Sequence, residues 1–131
     1  MKAFEWANPS SVNEAVKLLT SSGGDIDEAP RPLAGGQDLL TTMKDYTSRP
    51  ARIVNLKNIP GLNRITLTAR GLNIGALVTL TELEEHPGVR KSFPGLVEAA
   101  HSIATPQIRN LGTVGGNLCQ RRAAGTSVSK K

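Results

Sequence analysis

The sequence predicts an α+β fold: a small β-α-β subdomain, about residues 1–57, leads into the start of a second α/β subdomain, about residues 58–120. Three observations carry this expectation. Apolar residues recur at helical spacing in several separate stretches, short apolar runs bounded by Gly, Pro and polar residues lie between them, and one pair of such runs has the form of a hairpin. The chain has 131 residues, about one domain by the usual prior of roughly 100–200 residues each. Hydrophobic residues make up 38% and aromatic residues only 3%, so the core must be built from Leu, Ile, Val and Ala.

Residues 3–7 are a strand candidate. Ser11-Val12-Asn13-Glu14 then has the S-x-x-E form of a capping box, so a helix should begin there. Val12, Ala15, Val16 and Leu19 fall at i, i+3, i+4 and i+7 on one face, and Gly23-Gly24 offers the backbone freedom of a helix exit. After a polar loop, Pro32-Leu33-Ala34 leads as a strand into Gly35-Gly36, and Leu39, Leu40 and Met43 follow at helical spacing. Residues 52–56 form another buried strand, which completes a β-α-β-α-β order and favours a small, largely parallel sheet.

Residues 65–68 and 72–74 form a hairpin with Gly71 at its turn. Thr79-Leu80-Thr81-Glu82 is a second capping box, opening a helix that Pro87-Gly88 is expected to end. Leu96, Ala99, Ala100 and Ile103 mark a further buried helix, with Pro106 beyond its end. Residues 111–118 are glycine-rich and uncharged, whereas 121–131 have no apolar stripe and read as a disordered basic tail.

Charge and composition exclude several classes of function. The formal net charge is +5, but Arg121, Arg122, Lys130 and Lys131 lie in the tail with no acid beside them, which leaves the rest close to neutral. A nucleic-acid-binding face with interleaved aromatics is therefore not expected. No window approaches the roughly 18 apolar residues of a membrane helix, and the N-terminus lacks the pattern of a secretion signal. With Cys119 as its single cysteine the chain cannot form an internal disulfide or a cysteine metal site, and a soluble, cytoplasmic location is expected.

The two Gly-Gly pairs carry the chemistry. Glycine lets backbone approach phosphate oxygens and turns successive amides toward one anion. Ala34-Gly35-Gly36-Gln37-Asp38 adds a helix N-terminus, whose free amides favour an anion; Gln37 is a further donor, and Asp38 is expected to cap the helix or accept from a ligand hydroxyl. Thr113-Val114-Gly115-Gly116-Asn117 offers a hydroxyl, two unobstructed amides and a carboxamide. Together the loops would clamp one pyrophosphate. Spacing alone leaves open that each pair is only a tight turn, and neither fits G-x-G-x-x-G or the P-loop pattern.

Elsewhere the readings are structural. Cys119 is expected as a partly buried thiol, and His86 and His101 lack a partner for general-base work. Arg109 is placed either near a phosphate or in a solvated or helix-end position, while Trp6 and Tyr46 are expected to pack. No catalytic residue and no metal ligand set is assigned.

Residues 32–40, PLAGGQDLL, resemble the "AGGTDLL" loop of the FAD-binding medium subunit of molybdenum hydroxylases, the relatives of xanthine dehydrogenase, carbon monoxide dehydrogenase and aldehyde oxidoreductase. Residues 106–118, PQIRNLGTVGGNL, resemble that family's "PQIRNLGTIGGNL" loop, and residues 54–62 and 74–79 follow it in order and spacing. The resemblance covers roughly residues 2–121 and implies the N-terminal part of a vanillyl-alcohol-oxidase-like, PCMH-type FAD-binding domain. It implies that Ala34, Gly35, Gly36, Gln37 and Asp38 form one FAD pyrophosphate loop and that Thr113, Val114, Gly115, Gly116 and Asn117 form the other. Gln37 stands where Thr or His is commoner. The implied partners are an iron–sulfur small subunit and a molybdenum-cofactor large subunit, with FAD passing electrons to the final acceptor.

The chain departs from the family after Arg121, where the flavin-ring half would follow. This implies an N-terminal fragment, residues 1–120 being a partial FAD-binding domain with weak or absent FAD binding and no turnover alone. Two other classes are a truncated, cofactor-free interaction or regulatory module, and a binder of nucleic acid through its basic tail.

Overall fold

A computed structural model describes residues 1–20 and 24–120. The segment 121–131, expected as a disordered tail, lies outside the described residues, as does Gly23 of the expected helix exit. The first part runs β1 (Glu5–Ala7), α1 (Val12–Leu19), β2 (Arg31–Leu33), α2 (Gln37–Lys44) and β3 (Arg52–Asn55), and a 3-10 turn, Leu56–Asn58, follows. All three strands are parallel, as the alternation of strands and helices predicts, and their order in the sheet is β1-β3-β2. Registers are Trp6 opposite Ile53 on one side of β3 and Leu33 opposite Asn55 on the other.

Being central, β3 has both faces covered. Val54 packs with Ala15 and Ile59, flanked by Leu18, Leu19 and Leu62, whereas Ile53 packs with Leu33 and Met43, flanked by Phe4 and Leu39. Adjacent residues of a strand point to opposite faces, so α1 and α2 cover the sheet from opposite sides. Ser11 caps α1 through its side chain as expected, but the Glu14 carboxylate bonds the Ser10 amide and hydroxyl rather than completing the box. The face of α1 that meets the sheet is Ala15, Leu18 and Leu19. Val12 and Val16, expected inside, are 51% and 57% exposed, because three short strands cover only a narrow strip of the helix.

In the second part, β4 (Ile65–Thr68) and β5 (Gly71–Ile74) form the antiparallel hairpin, with Gly71 at φ 137° at its turn. Ile65, Leu72 and Ile74 pack against a cluster of Val78, Leu83, Val89 and Ala100. The helices are α3 (Leu80–Glu85), α4 (Pro87–Ser92), α5 (Pro94–His101), α6 (Pro106–Arg109) and α7 (Val114–Leu118). Thr79 and Glu82 complete the capping box of α3. Pro87 does not simply stop the chain's helical course: it opens α4, and Pro94 and Pro106 open α5 and α6. On α5 the inward face is Leu96, Val97 and Ala100 in place of the expected Ala99.

The aromatic expectation is corrected. Trp6 is 48% and Tyr46 60% exposed, and the Trp6 indole donates to Asn8 Oδ1 instead of filling the core. Among the described residues no helix is long and apolar enough to cross a membrane.

Candidate functional site

The chain runs from β2 through Ala34, Gly35 and Gly36 into α2. Gly36 is the N-cap, at φ 82°, in the left-handed region where a side chain is strained, and no side chain caps the helix. Asp38, expected as a possible cap, is instead an exposed residue inside the first turn. There its charge complements the helix dipole without closing off any amide. Among the described residues the amides of Gly35, Gly36, Gln37 and Asp38 donate to no other group of the protein. The first loop thus presents consecutive unused donors at the start of an eight-residue helix.

The second loop is built differently. Thr113, 6% exposed, is the N-cap of α7. Its Oγ1 accepts the Gly116 amide at 3.1 Å and its carbonyl the Asn117 amide at 2.9 Å. The Val114 and Gly115 amides donate to the carbonyls of Val78 and Ala76, at 2.8 and 2.9 Å. Gly115 is glycine because a Cβ would lie 2.8 Å from Ala76. The two glycine amides expected to be open to an anion are therefore both used inside the fold, Gly115 by Ala76 and Gly116 by Thr113 Oγ1. The Val114 and Gly115 amides stitch the loop to the segment after β5, beside the antiparallel bridge between Thr79 and Thr113.

The loops meet. A methyl group on Gly35 would overlap the Leu111 carbonyl oxygen, so the absence of a side chain lets the first loop pack directly on the backbone leading into the second. A cavity of about 220 Å³ opens at this junction, and its wall includes Ala34, Gly35, Lys57, Thr79, Leu111 and Thr113. Of the ten residues singled out from the sequence, Ala34, Gly35 and Thr113 line it. Gly36, Gln37 and Asp38 stand behind as the helix start, while Gly116 and Asn117 are exposed beyond it. Lys57, Thr79 and Leu111 were missed. Thr79 and Lys57 lie in stretches that resemble the family, but by its own chemistry Thr79 signalled only a helix cap, and Lys57 reaches the site through the strand register that sets Leu33 beside Asn55.

Arg109 does not face this cavity. Its side chain is 8% exposed, its Nη1 donates to the carbonyls of Ile103 and Ala104 at 3.1 and 3.0 Å, and its Nε lies 3.4 Å from Glu84. It is neither beside the cavity nor solvated: it ties down the turn between α5 and α6, whose carbonyls lie past the Ser102 cap of α5. His101 also finds a partner: its Nδ1 is 2.6 Å from Glu84 Oε1. His86 caps α4 by accepting the Val89 amide at Nδ1, and Cys119 is exposed. The hydrogen bond to His101 is the first cause holding the Glu84 carboxyl below its ordinary value. Among the described residues no cluster of three or more His, Cys, Asp or Glu could hold a metal ion.

Residues 2–128 match the family described as "FAD binding domain in molybdopterin dehydrogenase". The chain is 39% identical over 129 residues to the nicotinate dehydrogenase FAD-subunit of Eubacterium barkeri, spanning 98% of this chain and 43% of the relative. It is 40% identical over 115 residues to the carbon monoxide dehydrogenase medium chain of Hydrogenophaga pseudoflava, covering 88% and 39%. A solved carbon monoxide dehydrogenase from Hydrogenophaga pseudoflava superposes with a TM-score of 0.79 at 40% identity, over 88% of this chain and 39% of that one. Quinoline 2-oxidoreductase from Pseudomonas putida 86 gives 0.78 at 34% identity, over 90% and 40%. The chain thus spans about two fifths of the length of these relatives.

Proposed function

Because this chain belongs to the family of FAD-binding domains in molybdopterin dehydrogenases, we propose that the junction of its two glycine loops binds the diphosphate of FAD. The supporting observation is the row of unused amides from Gly35 to Asp38 at the N-terminus of α2, beside a cavity that the second loop closes at Leu111 and Thr113. The residues present fit the group: the donors are backbone amides without partners among the described residues, and the carboxylate in the cavity wall, Glu82, turns Oε2 to the Thr79 amide and hydroxyl. Ala34, Gly35, Gly36, Gln37 and Asp38 would hold the diphosphate from one side, and Thr113 from the other. Val114, Gly115, Gly116 and Asn117 act indirectly, by fixing the second loop through their own hydrogen bonds.

When bound, FAD supplies a carrier that exchanges electrons one or two at a time. The chain's part is to anchor and orient it. In the proposed assembly this unit works with an iron–sulfur subunit and a molybdenum-cofactor subunit, and electrons pass from the clusters through the flavin to the final acceptor. The names "medium chain" and "FAD-subunit" carried by the relatives support such a division of labour. A diphosphate is only part of FAD's surface, so the 131-residue chain is expected to hold FAD weakly.

Titration of the 131-residue chain by flavin fluorescence tests the reading. FAD fluorescence anisotropy should rise on binding and fall again when ADP, which shares the diphosphate, displaces it, while riboflavin should bind far less. Riboflavin binding equal to FAD, or failure of ADP to compete, would overturn it.

A further inference from the structure

The parallel register between β2 and β3 has a consequence beyond the glycine loops. Leu33 lies opposite Asn55, the last residues of their strands, so two residues further along each chain Gly35 and Lys57 stand at the same carboxyl edge of the sheet. Ligands of open parallel sheets gather at this edge, where helix N-termini point. Lys57 belongs to the wall of the cavity that Gly35, Leu111 and Thr113 line. Its backbone is firmly placed: the Lys57 amide donates to Asn55 Oδ1 at 3.2 Å, and the buried Asn55 in turn donates to Asn8 Oδ1 at 2.9 Å. Among the described residues Lys57 makes no salt bridge. Among the described residues it is the one basic residue in that wall, and the one carboxylate there, Glu82, is committed to the cap of α3.

We infer that Lys57 is a specificity residue of the site: its ammonium supplies the positive charge that selects a ligand bearing a diphosphate over one without it. The inference rests on the proposed flavin nucleotide site and deepens it. Backbone amides and a helix dipole favour any anion, but they neutralise no full charge, and the start of α2 adds the negative Asp38. A flexible lysine provides a point charge with three donors that follows a phosphate without demanding fixed geometry. Among the described residues no other member of the cavity wall supplies a counter-charge.

The test compares the wild-type chain with Lys57→Ala, Lys57→Gln and Lys57→Arg by titration with FAD, ADP and riboflavin at low and high salt. Far-UV circular dichroism confirms that each variant is folded; Lys57 is exposed, so its removal leaves the core intact. Lys57→Ala and Lys57→Gln should weaken FAD and ADP about tenfold at low salt and flatten the salt dependence, with Lys57→Arg near wild type and riboflavin unchanged. Affinity for FAD within twofold of wild type in Lys57→Ala, at low salt, would overturn the role of Lys57 while leaving the site itself standing. Wild-type chain that binds neither FAD nor ADP would overturn both.

Discussion

Glu84 shows how much one side chain organises in the second part of the molecule. Its carboxylate meets His101 of α5 and Arg109 of α6, its carbonyl accepts from Arg90 of α4, and the carboxyl is held below its ordinary value of 4.5. The hydrogen bond with His101 is the largest cause. The charges of His101, Arg109 and Arg90 add to it, against a desolvation that raises the value. A carboxyl depressed in the folded state stabilises that state above its unfolded value, and the contribution fades as pH falls through the depressed one. Glu84→Gln should therefore lower the urea midpoint at about pH 6, with the gap to wild type closing on acidification below about pH 4. A gap that stays constant over this range would mean that packing, and not charge, is what Glu84 contributes. At this scale the sequence was only partly readable. Arg109 drew notice but its role was left open between a phosphate contact and a solvated or helix-end position, and Glu84 gave no sign, because its partners lie 17 and 25 positions away and are brought together by folding.

At the scale of elements, local chemistry was legible wherever a side chain acts on its own helix. Thr79-x-x-Glu82 is the clearest instance, since both halves of the box form as the pattern predicts. Replacing Thr79 by Ala should cost about 1 kcal/mol, read as a fall in the urea midpoint with an unchanged slope. A slope that changes as well would point to loosening of the bridge to Thr113 instead. The helices α4, α6 and α7 were not foreseen. Pro87 and Pro106 read as stops because proline cannot continue a helix, yet its fixed φ and missing amide suit the first helical position equally well. The glycine-rich α7 has poor intrinsic propensity and exists because the fold uses its amides. The stripe on α1 was right in period but turned by part of a helix, since periodicity says that a face exists and not which neighbour it meets.

Across the whole molecule, the parallel course of the strands followed from the alternation of elements and the nearness of the two glycine loops from their motifs, whereas the strand order and the place of Lys57 depend on pairing and register that no local pattern encodes. The sheet order also has a kinetic side. Its middle strand is the last of the three in the chain, and neither outer strand pairs with the other. While the polypeptide is being synthesised, the first two strands have nothing to hydrogen-bond until residue 55 has left the ribosome. Ladder closure then spans 47 residues on one side and 22 on the other, so the sheet is expected to assemble in one concerted event. Native-state deuterium exchange should show the backbone amide protons of residues 5–7 and of Arg31 and Leu33 released by openings of equal free energy; release of one outer strand well before the other would show that the edges come away independently.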